Sequence, residues 1–368
     1  MEGWITVVRI GGAAVVSTMP GMVDTVVLAA PRGFCAGVEM AIKALTWMVR
    51  VFPPPVYCFH EIVHNGSVVE AFERAGVVFV DSIEDVPRGA AVMLSAHGSA
   101  PEVVAAATER GGVMVDAVCP LVTKVHHEVK RRAGEGFDII YVGHSGHDEA
   151  VGAVAEAPNA VTLVDPDQGL GGFQPADPTR VALVAQTTLG LFEWESVLDD
   201  AGDRFPELWT ARRSDLCYAT TNRQEAVRAL AERCDVVLVV GSENSSNTQA
   251  LVRVAGAHGT RSHRVHGPEA VDPEWLADAE TVGVTAGASA PDQSVRAVIE
   301  AVGATKVEEL RVTNEDEYFP LPPSLRALLG ALQAAVEGGY GARHPGRPGL
   351  LEEDRSWDAA EALDMLAR

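Results

Sequence analysis

The chain has 368 residues, 47% of them apolar, and a formal net charge of −22. A surface that acidic repels nucleic acid and anionic lipid, which excludes both as general partners while leaving room for a small anion in a local pocket. Five cysteines at wide spacing form no disulfide framework and point to a reducing, cytoplasmic setting, where such thiols bind metal or do chemistry.

Residues 1–23 open with "MEGWITVVRIGG", an acidic residue second and no basic stretch before the apolar part, unlike a secretory signal. They read as an N-terminal extension that either adds a strand or precedes a start at Met19 or Met22. No apolar run approaches the roughly 20 residues that a bilayer span requires. From residue 24 to 303, strand-like runs alternate with helical patterns: "TVVLAA", "AVMLSA", "DIIYVG", "RVALVA", "VVLVVG" and "TVGVTA". Apolar at nearly every position, these runs predict strands covered on both faces, hence a parallel α/β protein. "SVVEAFERAG" and "TNRQEAVRALAERC" supply helices between them.

An internal repeat orders the polar residues that follow the strands. Cys35 is followed by His64 in "HEIVHN" and His97 in "SAHGSAP"; Cys119 by His147 in "GHSGHDE" and Thr187 in "AQTTLG"; Cys217 by Ser245 in "GSENSSN" and Ser289 in "TAGASAP". The first step is 28 or 29 residues in each case and the second 62 to 72 from the cysteine. Ligands of open parallel sheets bind at the carboxyl ends of strands. Three such lobes about a pseudo-threefold axis would aim these residues at one centre. The expected lobes are 24–118, 119–214 and 215–315, followed by a partly helical C-terminal extension, 316–368, that either docks a partner or packs on its own protein.

Three converging thiolates make a metal or cluster site with one position left open for substrate. No CxxC pair exists to suggest an ordinary structural zinc site, and Cys58 and Cys234 lie within strand patterns, where free cysteine packs as a small apolar residue. His64, His97, His147, Ser245, Ser246, Asn247 and Ser289 are suitable donors for a phosphate group, helped by helix N-termini. Glu149 is the acid embedded in this set and the natural proton donor. His60, His126, His127 and His144 rank below them. Neither GxGxxG after a strand nor GxxxxGK[ST] is present, so a reductive site here would take its electrons from another protein. A zinc-dependent phosphohydrolase and a non-catalytic cluster-carrying sensor are the alternatives that these residues leave open.

The motifs "PRGFCAGV", "HEIVHN", "SAHG", "CPLVTKVH", "GHSGHDE", "QTTL", "CYATTNRQEAV", "NSSN" and "TAGASAP" closely resemble those of the 4-hydroxy-3-methylbut-2-enyl diphosphate reductase (IspH/LytB) family, over roughly residues 24–315. The resemblance implies a trefoil of three α/β lobes and a [4Fe–4S] cluster held by Cys35, Cys119 and Cys217, with one iron not bound by cysteine. It implies that His64, His97, Ser245, Ser246, Asn247 and Ser289 hold the diphosphate of an allylic substrate, with His147, Thr187 and Glu149 around its hydroxyl. It further implies reductive loss of that hydroxyl as water, electrons from a ferredoxin or flavodoxin, and a cytoplasmic monomer or homodimer. The N- and C-terminal extensions lie outside the family pattern.

Overall fold

A computed structural model of the chain describes residues 9–10, 13–14, 23–110, 112–211, 214–340 and 354–367. Three parallel sheets carry the fold. The first orders its strands Val77–Val80, Val56–Phe59, Val92–Leu94, Met114–Asp116. The second runs Trp209–Thr210, Val181–Ala185, Asp138–Val142, Val161–Val164, and the third Arg261–Val265, Val236–Val240, Thr281–Ala286, Thr25–Ala30, Lys306–Arg311. Val181–Ala185 and Val236–Val240 are buried at every position, because helices cover both faces of their sheets. Lys306–Arg311 ("KVEELR") is an edge strand, and its exposed charges discourage pairing with another chain. The α/β trefoil expected from the repeat is thus the architecture found.

One strand differs from the sequence reading. Thr25–Ala30 opens the expected 24–118 lobe, yet it pairs with Thr281–Ala286 on one side and Lys306–Arg311 on the other. Its apolar run predicts burial on both faces but says nothing of which sheet supplies the neighbours. Val26 accordingly packs with Val236, Val282 and Val284 in the third core. The chain then crosses to the first sheet through the helix Ala36–Val51, rich in Ala, Met and Leu and buried on nearly every face. It stops at Phe52, ahead of Pro53–Pro55, since a residue before proline avoids helical geometry.

The extensions behave differently from each other. Arg9–Ile10 pairs antiparallel with Ala13–Ala14 in a small sheet of its own, and the rest of 1–22 lies outside the described residues. The C-terminal extension packs on its own protein. Leu321, just before the Pro323–Tyr340 helix, and Leu325 and Leu329 within it join Ala359 and Ala362 in the first core beside Trp47 and Phe72. Residues 341–353 lie outside the described residues. Among the described residues, no helix is long and apolar enough to cross a membrane.

Arg223 ties the third segment to the first strand's turn. It is fully buried, and its Nη2 and Nε donate to the Gly33 carbonyl at 2.8 and 3.2 Å. Its Nη1 pairs with Glu315 at 2.9 Å. Removing the buried guanidinium leaves Glu315 with the Asn222 amide as its remaining donor among the described residues, and the Gly33 carbonyl without its own. Arg223→Met is expected to lower stability by about 3–5 kcal/mol, read as a shift of the urea midpoint at unchanged slope; a loss below about 1 kcal/mol would show that the bridge is dispensable.

Candidate active site

The three cysteines each stand immediately before a helix: Cys35 before Ala36–Val51, Cys119 before Pro120–Gly134 and Cys217 before Tyr218–Ala231. Each follows a strand of a different sheet. Their backbone N–H groups are bonded in an equivalent way, Cys35 to the Ala288 carbonyl (3.2 Å), Cys119 to Ala96 (3.0 Å) and Cys217 to Thr187 (3.1 Å). Each cysteine is therefore pinned to a loop that carries another candidate, Ser289, His97 or Thr187. Helix N-termini favour the ionised thiol, so the position suits a thiolate ligand.

All twelve candidates, the three cysteines with His64, His97, His147, Glu149, Thr187, Ser245, Ser246, Asn247 and Ser289, line one cavity of about 100 Å³. Cys58 and Cys234 lie elsewhere, the one in the first core and the other with Val27, Leu230 and Val237 in a further core against the third sheet. Two glycines let the first cysteine's turn close. Gly33 has φ +66°, and Gly37 faces the thiols so closely that a Cβ there would sit 2.8 Å from the Cys119 sulfur. Burial pushes Cys119 up to about 12 and Cys217 up to about 11, with Cys35 the next cause for both. Thiols so placed stay protonated unless cations sit among them. Three soft donors around a side-chain-free wall fit an iron–sulfur or other thiophilic metal group, whose charge would hold them as thiolates.

A second region of the cavity suits an anion. The rings of His64 and His97 stack at 3.9 Å and 10°, with His147 edge-on to both at 5.2 and 5.9 Å. Burial, then the charge of His64, holds His97 well below the ordinary range and His147 at about 4, so both are neutral hydrogen-bonding groups near pH 7. Ser245 heads the helix Ser246–Ala257. Ser289 Oγ donates to the His64 carbonyl at 2.9 Å, and the Ala288 N–H donates to Asn247 Oδ1 at 3.0 Å. Asn247 Nδ2 is buried without a partner among the described residues. An unpaired buried donor beside a helix N-terminus is where an anionic oxygen belongs.

Glu149 lies in the first turn of Asp148–Ala155 and is 2% exposed. Its Oε1 accepts the Thr187 N–H at 2.6 Å, and its Oε2 lies 2.9 Å from Thr187 Oγ1. Burial raises it to about 7 against the pull of those Thr187 bonds, so a large fraction carries a proton at neutral pH.

Sequence reasoning passed over several contributors. Asp148 lies 2.8 Å from His60 Nδ1 and 3.7 Å from His97 Nδ1. His60, ranked low, thus reaches the site through that carboxylate, which raises its pKa. Gln186, fully buried, donates to Ser246 Oγ at 3.0 Å. Phe319, from the C-terminal extension, lines the cavity too. Asp148 sits in the quoted motif "GHSGHDE", but an acid in a helix's first turn is explained by the dipole alone and drew no notice. His126 pairs with Glu156 at 2.7 Å, away from the cavity.

Residues 26–303 match the family model described as LytB protein. The chain belongs to the LytB family. A relative from Rhodopirellula baltica, named 4-hydroxy-3-methylbut-2-enyl diphosphate reductase, is 45% identical over 315 residues, covering 85% of this chain and 98% of the relative. One of the same name from Mycobacterium leprae is 47% identical over 309 residues, covering 82% and 92%. A solved structure of the E-1-hydroxy-2-methyl-but-2-enyl-4-diphosphate reductase from Plasmodium falciparum superposes with a TM-score of 0.81 at 29% identity, over 84% of this chain and 99% of that one.

Gly37 offers a direct check on the thiol region of this LytB-family site. A methyl group there displaces the Cys119 sulfur, 2.8 Å from the added carbon. Gly37→Ala is expected to cut the metal bound per chain by about half or more, measured by anaerobic metal analysis, with little change in melting temperature of the metal-free protein. Full metal content would show that the cradle has room to spare.

Proposed function

We propose that the chain reduces (E)-4-hydroxy-3-methylbut-2-enyl diphosphate to isopentenyl and dimethylallyl diphosphate, the last step of the methylerythritol phosphate route to isoprenoids. The observation that carries this reading is the convergence of three thiols, one buried acid and a set of anion donors on a single cavity, in a chain whose relatives bear that activity in their names. Cys35, Cys119 and Cys217 would hold a [4Fe–4S] cluster with one iron free of cysteine. When bound, that group supplies the electrons and a Lewis-acidic metal for the allylic hydroxyl.

The protein's own residues do the rest. His64, His97, Ser245, Ser246, Asn247 and Ser289 grip the diphosphate, and that remote binding energy positions the reacting end. His147 and Thr187 flank the hydroxyl. Protonated Glu149 passes its proton from Oε2 to Thr187 Oγ1, 2.9 Å away, as the Thr187 hydroxyl proton moves to the leaving oxygen. The Thr187 N–H keeps the carboxyl in register through Oε1. Two electrons and two protons enter, and water leaves. A ferredoxin or flavodoxin would deliver the electrons, to a monomer or homodimer in the cytoplasm, where all five free cysteines stay reduced.

A hydrolytic reading has one observation in its favour: ligand atoms of His64, His97 and Asp148 lie within 4.8 Å of one another, close enough to share a metal ion. It predicts phosphate release in air without reductant. The reductase reading predicts a brown anaerobic preparation with about four irons per chain, turnover with dithionite and a viologen dye, and loss of both in air. A colourless protein that stays free of iron after anaerobic reconstitution would overturn it. Glu149→Gln is expected to lower kcat by about 10²–10⁴ with KM nearly unchanged; unaltered kcat would remove Glu149 from proton delivery.

The histidines add a pH signature. An anion raises the ring pKa values of His97 and His147 from their depressed positions, so binding takes up protons. Affinity for sulfate, an oxyanion that does not itself titrate in this range, is expected to strengthen as pH falls from about 8 toward 5, by up to about tenfold per unit for each proton taken up. Calorimetry in buffers of different ionisation heat reads that uptake. Binding without proton exchange would show that neutral imidazoles alone suffice.

A further inference from the structure

Phe319 and Tyr218 line both the catalytic cavity and a neighbouring cleft of about 400 Å³. Phe34 and Ala36, which flank Cys35, also line that cleft, so it lies on the outer side of the first cysteine's turn. Tyr318, on its rim, is 40% exposed. Two aromatic rings therefore separate the thiols from a space open to solvent. Phe319 belongs to residues 312–322, which form neither helix nor strand, so its position has to be set by contacts from neighbouring side chains.

Its neighbour Tyr318 is held from the end of the chain. The Tyr318 hydroxyl donates to Asp354 Oδ2 at 2.6 Å, and Asp354 is 3% exposed. Lys43 Nζ lies 3.3 Å from Asp354 Oδ1, donates to the Asp354 carbonyl, and sits 5.6 Å from the Tyr318 ring centre. The residues after Asp354 anchor it in turn. Trp357 meets Trp47 edge-on at 6.0 Å, and the Ala359 N–H donates to Glu39 Oε2 at 3.2 Å. Glu39, Lys43 and Trp47 recur every four residues, one face of the helix that begins at Cys35. Filling the first core accounts for Ala359 and Ala362. It does not account for a buried ion pair that ends on a tyrosine next to the cavity wall, where apolar residues of similar volume would fill the core as well.

We propose that Tyr318 and Asp354 are positioning residues that hold Phe319 as the wall between the thiols of the catalytic cavity and the outer cleft. The wall limits how fast small reagents reach Cys35, Cys119 and Cys217. It concerns access to the thiols, so its test stands apart from the reductase reading.

The test is labelling of the metal-free, full-length protein with a small thiol reagent, resolved cysteine by cysteine by peptide mass spectrometry. Phe319→Ala removes the wall, Tyr318→Phe removes its fixing bond, Asp354→Asn leaves an acceptor but takes away its charge and the partner of Lys43, and Tyr318→Phe/Phe319→Ala combines the first two. Losing a hydrogen bond to a charged acceptor is expected to speed labelling of the three cavity cysteines about tenfold, and Phe319→Ala at least as much. The double variant should be no faster than Phe319→Ala, because Tyr318 acts only through that ring. Cys58 and Cys234, buried in other cores, should stay unlabelled; their labelling in Tyr318→Phe would mean general loosening and overturn the proposal. Wild-type labelling in Tyr318→Phe, or additive acceleration in the double variant, would overturn it as well.

Discussion

The site depends on three hydrogen bonds of one kind. Each cysteine N–H, at the start of a helix, donates to a carbonyl in the loop at the end of a strand: Ala288 for Cys35, Ala96 for Cys119, Thr187 for Cys217. A backbone bond of this kind cannot be made unless strand end and helix start meet at a set distance. The turns that carry the thiols are thereby placed by main chain, and the polar side chain at or beside each acceptor is placed with them. Arg223, bonded to the carbonyl two residues before Cys35, locks the turn that joins two of the three sheets.

The charge balance of the cavity is the reverse of the protein's surface. A chain of net charge −22 surrounds a pocket whose Cys119 and Cys217 thiols, glutamate and two histidines are driven by burial toward their neutral forms. Neutral groups at close quarters cost little to bury, and each has a different use. The thiols can ionise when a metal arrives, the imidazoles can take up protons with an anion, and Glu149 can give one away. A lysine or arginine at the anion end would bind phosphate oxygens more strongly, but it would also be a charge to desolvate in the empty state. The unpaired Asn247 amide is a milder form of the same compromise.

Much of this was legible in the sequence because of where the residues stand. A polar or sulfur-bearing residue straight after an all-apolar run marks a strand end, and parallel sheets gather strand ends on one side. That is why nine residues chosen by spacing, with Glu149, Ser246 and Asn247 beside them, line one cavity. What periodicity cannot convey is the identity of neighbours. The run "TVVLAA" predicts a doubly covered strand without showing that its partners lie some 250 and 280 residues away. Nothing in the pattern "TNRQEAV" marks Arg223 as a residue that is fully buried. Phe319 reads as part of a tail, because only the folded path of 312–322 brings it to the cavity.

The displaced strand bears on how the protein is made. Thr25–Ala30, which leads into the first cysteine, lies between partners at 281–286 and 306–311. On a ribosome, the first of these to be synthesised waits through most of translation for both neighbours, while the first and second sheets assemble without it. The turn that carries the earliest-made thiol therefore takes its place only after residues 281–311 have been made. Until then the strand before Cys35 lacks the neighbours that hold it, so a triad of all three cysteines forms late in synthesis.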